Sequence, residues 1–230
     1  QVAMLTVEIA ILKVLQEKGI YSEVNAGLSL GEYGALVASE VLSVHDALEL
    51  VVKRGSFMQE AVPTGGAMTA VMGLSNDVIE KVCSEAEGIV SVANYNCPGQ
   101  TVITGEVEAV NKAAEKLKEA GAKRCIPLKV SGPFHSKMLE EAGKKLAQEL
   151  EKVKVEEIKT PYITNVTADY VTDKNLVKDL LERQISSSVR WQQSVERMVK
   201  DGVDTFIEIG PKKTLTGFLR KIAPEAKGYN

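Results

Sequence analysis

Apolar residues recur along most of the chain at the three- and four-residue spacing of amphipathic helices, and short apolar runs separate these stretches. In the first stretch, Leu5, Ile9, Leu12 and Leu15 predict a helix over residues 1–18. Helices that alternate with short apolar strands are typical of a mainly parallel sheet with covered faces. The same spacing predicts further helices over residues 32–40, 43–60, 136–153, 173–185, 191–200 and around 215–219, with strands at 23–26, 160–166 and 203–209.

The pattern changes between residues 67 and 130. Strands are predicted at 67–74, 90–96, 100–105 and 123–130, with helices at 76–86 and 107–120 between them. This β-α-β-β-α-β order is that of a ferredoxin-like split βαβ unit. We therefore predict an α/β protein in which residues 1–66 and 131–230 form the core, and residues 67–130 form an inserted ferredoxin-like subdomain.

Charge and cysteine content exclude several classes of protein. With 28 basic and 31 acidic residues among 230, the chain has no bulk charge that indicates a nucleic-acid or membrane partner. The first helix is too short in its apolar run for a transmembrane segment and not basic enough at its start for a signal peptide. Cys83, Cys97 and Cys125 lack C-x-x-C spacing, which favours a reducing, cytoplasmic location over a zinc site or a disulfide framework. We expect no bound metal and no permanent cofactor.

The segment Gly27-Leu28-Ser29-Leu30-Gly31 has the form G-x-S-x-G and lies between a predicted strand and a predicted helix. Flanking glycines permit a turn too tight for side chains, so that the serine oxygen projects from the top of the sheet. The helix N-terminus then offers free N–H groups to a developing oxyanion. The alternative is an ordinary turn serine, which the strand-turn-helix context makes less favoured.

A serine nucleophile needs a base, and the chain has two histidines. His45 lies at the start of an amphipathic helix and is expected to be solvated. His135 lies where the inserted unit returns to the core, in a loop that could be structural or could line a cleft. By elimination, His135 is the candidate base. No acid between Ser29 and His135 has a recognisable strand-end setting, so a carbonyl or amide oxygen could orient this histidine instead, which argues against a simple hydrolase.

Arg54 lies inside the predicted helix that follows the nucleophile helix, beside Gly55. A solvated arginine is the commoner interpretation at such a position. Glycine is costly in the middle of a helix, so its presence indicates that another group approaches closely. In that case the Arg54 guanidinium could hold a substrate carboxylate through two hydrogen bonds, as lysine could not.

Several further segments can be set beside this motif: Gly27–Tyr33, Arg54-Gly55 with Phe57–Ala61, Asn94–Asn96 with Pro98–Gln100, Gly132–His135, Asn165-Val166 and Glu208–Pro211. Taken together, these segments resemble the malonyl-CoA:acyl carrier protein transacylase family, in the same order and at similar spacing along nearly the whole chain. The resemblance implies an α/β-hydrolase-like core with a ferredoxin-like insertion. It also implies ping-pong transfer of a malonyl group from malonyl-CoA to the phosphopantetheine thiol of an acyl carrier protein, in fatty acid biosynthesis.

The resemblance also implies a role for each site residue. Ser29 would be the nucleophile and His135 the base, Gln184 would supply the oxygen that orients this histidine, and the Leu30 N–H would form half of the oxyanion hole. Arg54 would pair with the free carboxylate of malonate, and Phe134 would leave no room for a 2-methyl branch. Further substrate contacts are expected from Leu28, Asn94 and Asn96. Malonyl-CoA and acyl carrier protein would be the partners of a monomer.

Two departures from the family pattern keep other hypotheses open. Most relatives have histidine where this chain has Leu28. The chain also opens within a helix and without a start methionine, so we expect an upstream segment, which in relatives supplies a strand and the glutamine N–H that completes the oxyanion hole. The alternatives are a serine thioesterase or esterase that uses Ser29 and His135, and a non-catalytic docking module for a carrier protein.

Overall fold

The computed structural model describes residues 1–130 and 132–230; Ser131, the predicted start of the second core segment, lies outside the described residues. The helices are α1 Val2–Glu17, α2 Gly31–Ala38, α3 Val44–Ala61, α4 Asn76–Ser84, α5 Val107–Glu119, α6 Glu140–Leu150, α7 Val177–Gln184, α8 Trp191–Lys200 and α9 Thr214–Ile222. The strands are β1 Asn25–Ala26, β2 Gly66–Met72, β3 Val90–Cys97, β4 Gln100–Glu106, β5 Arg124–Pro127, β6 Tyr162–Ile163, β7 Tyr170–Val171, β8 Thr205–Ile207 and β9 Lys227–Tyr229.

Strands β2 to β5 form one antiparallel sheet in the order β3-β4-β2-β5. Along the chain these strands and their two helices follow the predicted order, β2-α4-β3-β4-α5-β5. Apolar residues at helical spacing on α4 and α5 pack against the alternating inward residues of the sheet. The resulting cluster includes Val71, Ile79, Ile103, Val110 and Leu117, all fully buried.

The remaining strands form two small sheets instead of the single covered sheet that the sequence predicts. β1 pairs with β6 in parallel, β6 pairs with β7 in antiparallel fashion, and β8 pairs with β9 in parallel. The pairing is therefore mainly parallel, as expected, but interrupted. Strand β6 ends early because the chain reverses after it: Thr164 N donates to Asp169 O and Ala168 has a φ of 56°. β7 and β9, which carry no long apolar run, are absent from the sequence prediction.

The helices that cover these sheets begin and end close to the predicted positions. Ser43 caps α3, as its sequence context suggests, by accepting a hydrogen bond from Asp46 N at 3.0 Å. The apolar spacing of residues 173–185 places Leu176, Val177, Leu180 and Leu181 on an inner face. That expectation is wrong for Leu176, which is 50% exposed because it closes a 3₁₀ turn before α7 begins.

The antiparallel sheet is joined to the core along β3. Val189 N donates to Ala93 O at 2.8 Å and Tyr95 N donates to Val189 O at 2.9 Å. Ser188 Oγ adds a bond to Val92 O at 2.6 Å. Because these residues closely follow α7, the junction also fixes the end of that helix, where Gln184 lies. Among the described residues, no helix combines the length and apolarity needed to cross a bilayer.

Candidate active site

Ser29 lies at the sharp turn between β1 and α2. Its φ is 53°, a left-handed conformation that a non-glycine residue adopts at a cost and that is concentrated at functional sites. A Cβ on Gly27 would lie 1.9 Å from the carbonyl carbon and oxygen of Gly31, so residue 27 must be glycine. A Cβ on Gly31 would meet none of the described residues within 4 Å. The expectation that both glycines are sterically required is therefore wrong for Gly31, because this residue begins a helix and faces open space.

One side chain, Asn165, holds both ends of this turn. Its Oδ1 accepts a hydrogen bond from Ser29 N at 2.6 Å, and its Nδ2 donates to Gly27 O at 2.7 Å. Asn165 is 1% exposed, so both bonds are shielded from water. The N–H of Leu30 donates to no group in the described part of the chain. It is therefore available at the start of α2, where the helix dipole favours negative charge.

His135 is the base nearest to Ser29. Its Nε2 lies 2.8 Å from Ser29 Oγ, and its Nδ1 lies 2.9 Å from the main-chain oxygen of Gln184. Because that carbonyl oxygen can only accept, we assign the proton to Nδ1, which leaves the Nε2 lone pair free to accept from the Ser29 hydroxyl. Like Ser29, His135 has a left-handed backbone, with φ 61°. The tight turn thus aims the imidazole at the hydroxyl.

The surroundings of His135 keep its imidazole neutral. Burial and, to a smaller extent, the positive charge of Arg54 lower the pKa of His135 to about 4, although hydrogen bonds with the Gln184 and Ser187 backbone oppose this shift. A neutral imidazole at neutral pH is the form that can accept a proton from serine or from a thiol.

Arg54 is buried, which excludes the solvated alternative: only 1% of it is exposed. Its Nη2 donates to Ser29 Oγ at 2.9 Å and to Gln184 Oε1 at 3.1 Å, and its Nη1 donates to Gln1 Oε1 at 2.6 Å. Within the described residues its Nε has no partner. A Cβ added to the neighbouring Gly55 would lie 3.7 Å from Gln1 Nε2, which is an ordinary van der Waals distance. The site therefore contains one fixed cation in contact with the candidate nucleophile.

Gln184 contributes its main chain and its side chain separately. The oxygen that orients His135 is the main-chain carbonyl. The side-chain Nε2 instead donates to Ser29 O at 3.0 Å and to Glu32 Oε2 at 2.7 Å. Gln184 is fully buried, so these contacts tie the end of α7 to the turn that carries Ser29.

The other expected substrate residues lie outside this hydrogen-bond network. Phe134, next to His135, is half-buried and packs against Met68, Ala93 and Val102 of the antiparallel sheet as well as the main core. Leu28 packs against a separate cluster that includes Trp191 and Phe218. Asn94 and Asn96 are buried on β3, and their side chains form no hydrogen bond within the part of the chain that the structure describes. His45 is exposed and lies 3.6 Å from Glu49, as expected for a solvated residue.

Sequence reasoning assigned no role to three residues that the structure places in the network: Asn165, Glu32 and Gln1. Asn165 and Glu32 occur in segments that carry the family resemblance, but neither residue type indicates its contacts. Asn165 is 136 positions from Ser29 in the chain. A glutamate in the first turn of a helix is commonly a surface residue that complements the helix dipole, so burial of Glu32 has no local signal.

Comparison with known proteins places the chain among acyl transferases. A model of the acyl transferase domain matches residues 1–228. The malonyl CoA-acyl carrier protein transacylase of Bacillus subtilis is 46% identical over 226 residues, which cover 96% of this chain and 71% of that protein.

Solved structures agree with this match. An acyl carrier protein S-malonyltransferase from Vibrio cholerae has a TM-score of 0.95 and 44% identity, covering 98% of this chain and 75% of that one. A type II PKS acyl-carrier protein has been solved in complex with its malonyl-transacylase, which matches with a TM-score of 0.94 and 41% identity over 97% of this chain and 74% of that chain. This chain is therefore a member of the acyl transferase domain family.

Proposed function

We propose that this protein transfers the malonyl group of malonyl-CoA to the phosphopantetheine thiol of an acyl carrier protein, through a malonyl-serine intermediate, in fatty acid biosynthesis. The observation that carries the proposal is the Arg54 guanidinium, held 2.9 Å from Ser29 Oγ beside a serine–histidine pair. The names of the relatives support the same reaction, including the solved complex with an acyl-carrier protein.

In the first half-reaction, His135 Nε2 accepts the Ser29 proton as Oγ attacks the thioester carbonyl of malonyl-CoA. The carbonyl oxygen becomes an oxyanion, for which the Leu30 N–H at the start of α2 is a hydrogen-bond donor. Collapse of the tetrahedral intermediate breaks the C–S bond. The CoA thiolate leaves with the proton from His135, and the malonyl group remains on Ser29 as an ester.

The second half-reaction reverses the roles. His135 is neutral again and accepts the proton of the phosphopantetheine thiol, whose sulfur attacks the malonyl-serine ester. The tetrahedral intermediate then expels Ser29 Oγ, which recovers its proton from His135. No permanently bound cofactor takes part, since the acyl donor itself is the CoA thioester. The three free cysteines suit a reducing compartment, and we place the reaction in the cytoplasm.

Arg54 would select the acyl group. In malonyl-CoA one methylene separates the free carboxylate from the thioester carbonyl, so a cation that touches the nucleophile lies within reach of that carboxylate. A buried guanidinium gains a charged partner from malonyl and none from acetyl, and burying a charge without a partner is unfavourable. Phe134 would exclude a 2-methyl branch, and Leu28, Asn94 and Asn96 would contact the rest of the substrate.

We also propose which known fold type each part of the chain adopts. We assign residues 1–66 and 131–230 to an α/β-hydrolase-like core and residues 67–130 to a ferredoxin-like subdomain. The strand order β3-β4-β2-β5, antiparallel throughout, with two helices on one face, supports the second assignment. The tight serine turn between β1 and α2 supports the first.

The test is to mix the protein with malonyl-CoA, quench, and locate the adduct by peptide mass spectrometry. We expect a malonyl ester on Ser29, none in Ser29→Ala, and transfer of the group to holo-acyl carrier protein when that protein is added. Release of CoA without an adduct and without transfer would indicate a thioesterase. Failure of wild type to react at all would favour a docking module.

A further inference from the structure

A buried carboxylate, that of Glu32, lies directly behind the catalytic turn. Glu32 is the second residue of α2 and is fully buried. Its Oε2 accepts two hydrogen bonds, from Gln184 Nε2 at 2.7 Å and from Asn165 N at 3.0 Å. Its Oε1 has no partner among the described residues. The reaction described above makes no use of this side chain, although a buried carboxylate is costly to keep.

The two residues that donate to Glu32, Asn165 and Gln184, are also the residues that hold Ser29 and His135 in place. Asn165 bridges Gly27 and Ser29 and so sets the shape of the turn. Gln184 orients His135 through its main-chain oxygen and binds Ser29 O through its side chain. Thus one oxygen atom of Glu32 joins the support of the nucleophile to the support of the base.

The N–H groups of Asn165 and Gln184 that bind Glu32 have few other acceptors within reach. Asn165 is 1% exposed and Gln184 is fully buried, so water cannot readily replace a lost acceptor. A buried donor left without a partner costs about 1–3 kcal/mol and tends to be relieved by movement. Movement of either residue would change the distance between Ser29 Oγ and His135 Nε2, which is 2.8 Å.

We infer that Glu32 is a positioning residue, whose Oε2 holds Asn165 and Gln184 in register so that Ser29 and His135 stay within proton-transfer distance. Its importance for malonyl transfer rests on the proposed function. Its effect on Ser29 reactivity does not. The inference attributes the effect to the position of an acceptor oxygen and not to negative charge.

Two substitutions separate position from charge. Glu32→Gln keeps an acceptor oxygen at the same reach and removes the charge, whereas Glu32→Asp keeps the charge and withdraws the acceptor by one methylene. Glu8 supplies the matched controls, Glu8→Gln and Glu8→Asp. It is a half-buried glutamate of α1, and burial raises its pKa as it raises the pKa of Glu32. Glu8 forms no hydrogen bond with the Ser29 network in the described residues.

The probe is phenylmethanesulfonyl fluoride, which needs no malonyl group. Ser29 Oγ forms a bond to sulfur, the S–F bond breaks, fluoride leaves, and His135 takes the serine proton. We expect Glu32→Asp to slow this reaction, and kcat for malonyl transfer, by about 10- to 100-fold, the effect of a misplacement of about 1 Å, with a smaller change in KM. Glu32→Gln should stay within about fivefold of wild type, as should both Glu8 variants.

Three results would overturn the inference: Glu32→Asp reacting at the wild-type rate, Glu32→Gln slowed as much as Glu32→Asp, or Glu32→Asp failing to fold by circular dichroism, which would make Glu32 a residue of stability. If wild type reacts with the sulfonyl fluoride but transfers no malonyl group, the proposed function fails. The sulfonylation rates of the variants then still decide the role of Glu32.

Discussion

Among the described residues, the hydroxyl of Ser29 has two unlike hydrogen-bond partners, a neutral imidazole that can take its proton and a guanidinium that can only donate. A cation at 2.9 Å from Oγ stabilises developing negative charge there. Burial and, to a smaller extent, the same cation lower the pKa of His135, which keeps the base uncharged. The free carboxylate of malonate would compete with Ser29, Gln184 and Gln1 for the N–H groups of Arg54. In the proposed reaction, both the reactivity of Ser29 and the choice of acyl group would therefore depend on Arg54.

Loss of Arg54 should remove the preference for malonyl. We expect Arg54→Ala to lower kcat/KM for malonyl-CoA by at least about 100-fold, since a desolvated charge pair is worth several kcal/mol, and to affect acetyl-CoA much less. Assays of acyl transfer from both thioesters measure the ratio. Lys53→Ala removes a positive charge from the exposed neighbour on α3 and should change neither value. An Arg54→Ala protein that still preferred malonyl would contradict the assignment.

The acidic limb of the pH–rate profile should report His135. Its pKa is lowered to about 4, so the imidazole remains a competent base down to that pH, and kcat/KM should fall with a midpoint near 4 instead of near 6.5. Because the folded-state pKa lies below the unfolded value, the contribution of His135 to stability should also decrease as the pH falls from about 6.5 to 4, whereas the raised pKa of Glu32 acts in the opposite direction.

The pH–rate profile needs a control for Glu32, because burial raises the pKa of Glu32 to about 7, which lies within the pH range of the measurement. If the position of its oxygen matters and its charge does not, Glu32→Gln should give the same acidic limb as wild type. A midpoint near 6.5 in both proteins would contradict the neutral, buried imidazole.

At the scale of the elements, the turn between β1 and α2 determines where the Ser29 side chain projects. Its shape depends on contact between the two ends of the motif, where Gly27 lies against the carbonyl of Gly31, and on Asn165, which comes from the turn after β6. His135 and Gln184 come from other parts of the chain, a loop and the end of α7. The site therefore assembles only when the core and the β3 junction are formed.

The two glycines of the motif should respond differently to alanine. In Gly27→Ala the new methyl group would overlap the Gly31 carbonyl, so we expect a loss of several kcal/mol or failure to fold. In Gly31→Ala it would enter open space, and the higher helix propensity of alanine should leave stability unchanged or raise it by up to about 1 kcal/mol. Urea unfolding measures both, and similar losses in the two variants would show that this description of the turn is wrong.

At the scale of the whole molecule, the sequence was most informative where the signal is local. Apolar periodicity placed α8 at the observed residues and gave the element order of the antiparallel sheet. The motif around Ser29 and the scarcity of histidines paired Ser29 with His135, which the structure brings together. The interruption of the core sheet was not predictable, because it depends on the chain reversal between β6 and β7.

The sequence also could not predict which residues hold Ser29 and His135 in place, because these residues are distant from them in the chain. Asn165 binds Ser29 and Glu32, and Gln184 binds Glu32, in contacts that join residues more than 130 positions apart in the chain. The group that orients His135 is a main-chain carbonyl, which every residue possesses and no residue type indicates. Tertiary packing therefore determines which residues support Ser29 and orient His135. These roles stay proposals.

The central claim, that Ser29 carries a malonyl group for delivery to a thiol, is tested most directly by a chase. The malonyl-enzyme is formed with malonyl-CoA, freed of CoA, and divided between buffer and holo-acyl carrier protein, with both samples followed by intact-protein mass spectrometry. We expect the adduct to persist in buffer and to move to the carrier protein on mixing. Loss of the adduct as free malonate at the same rate in both samples would contradict the account.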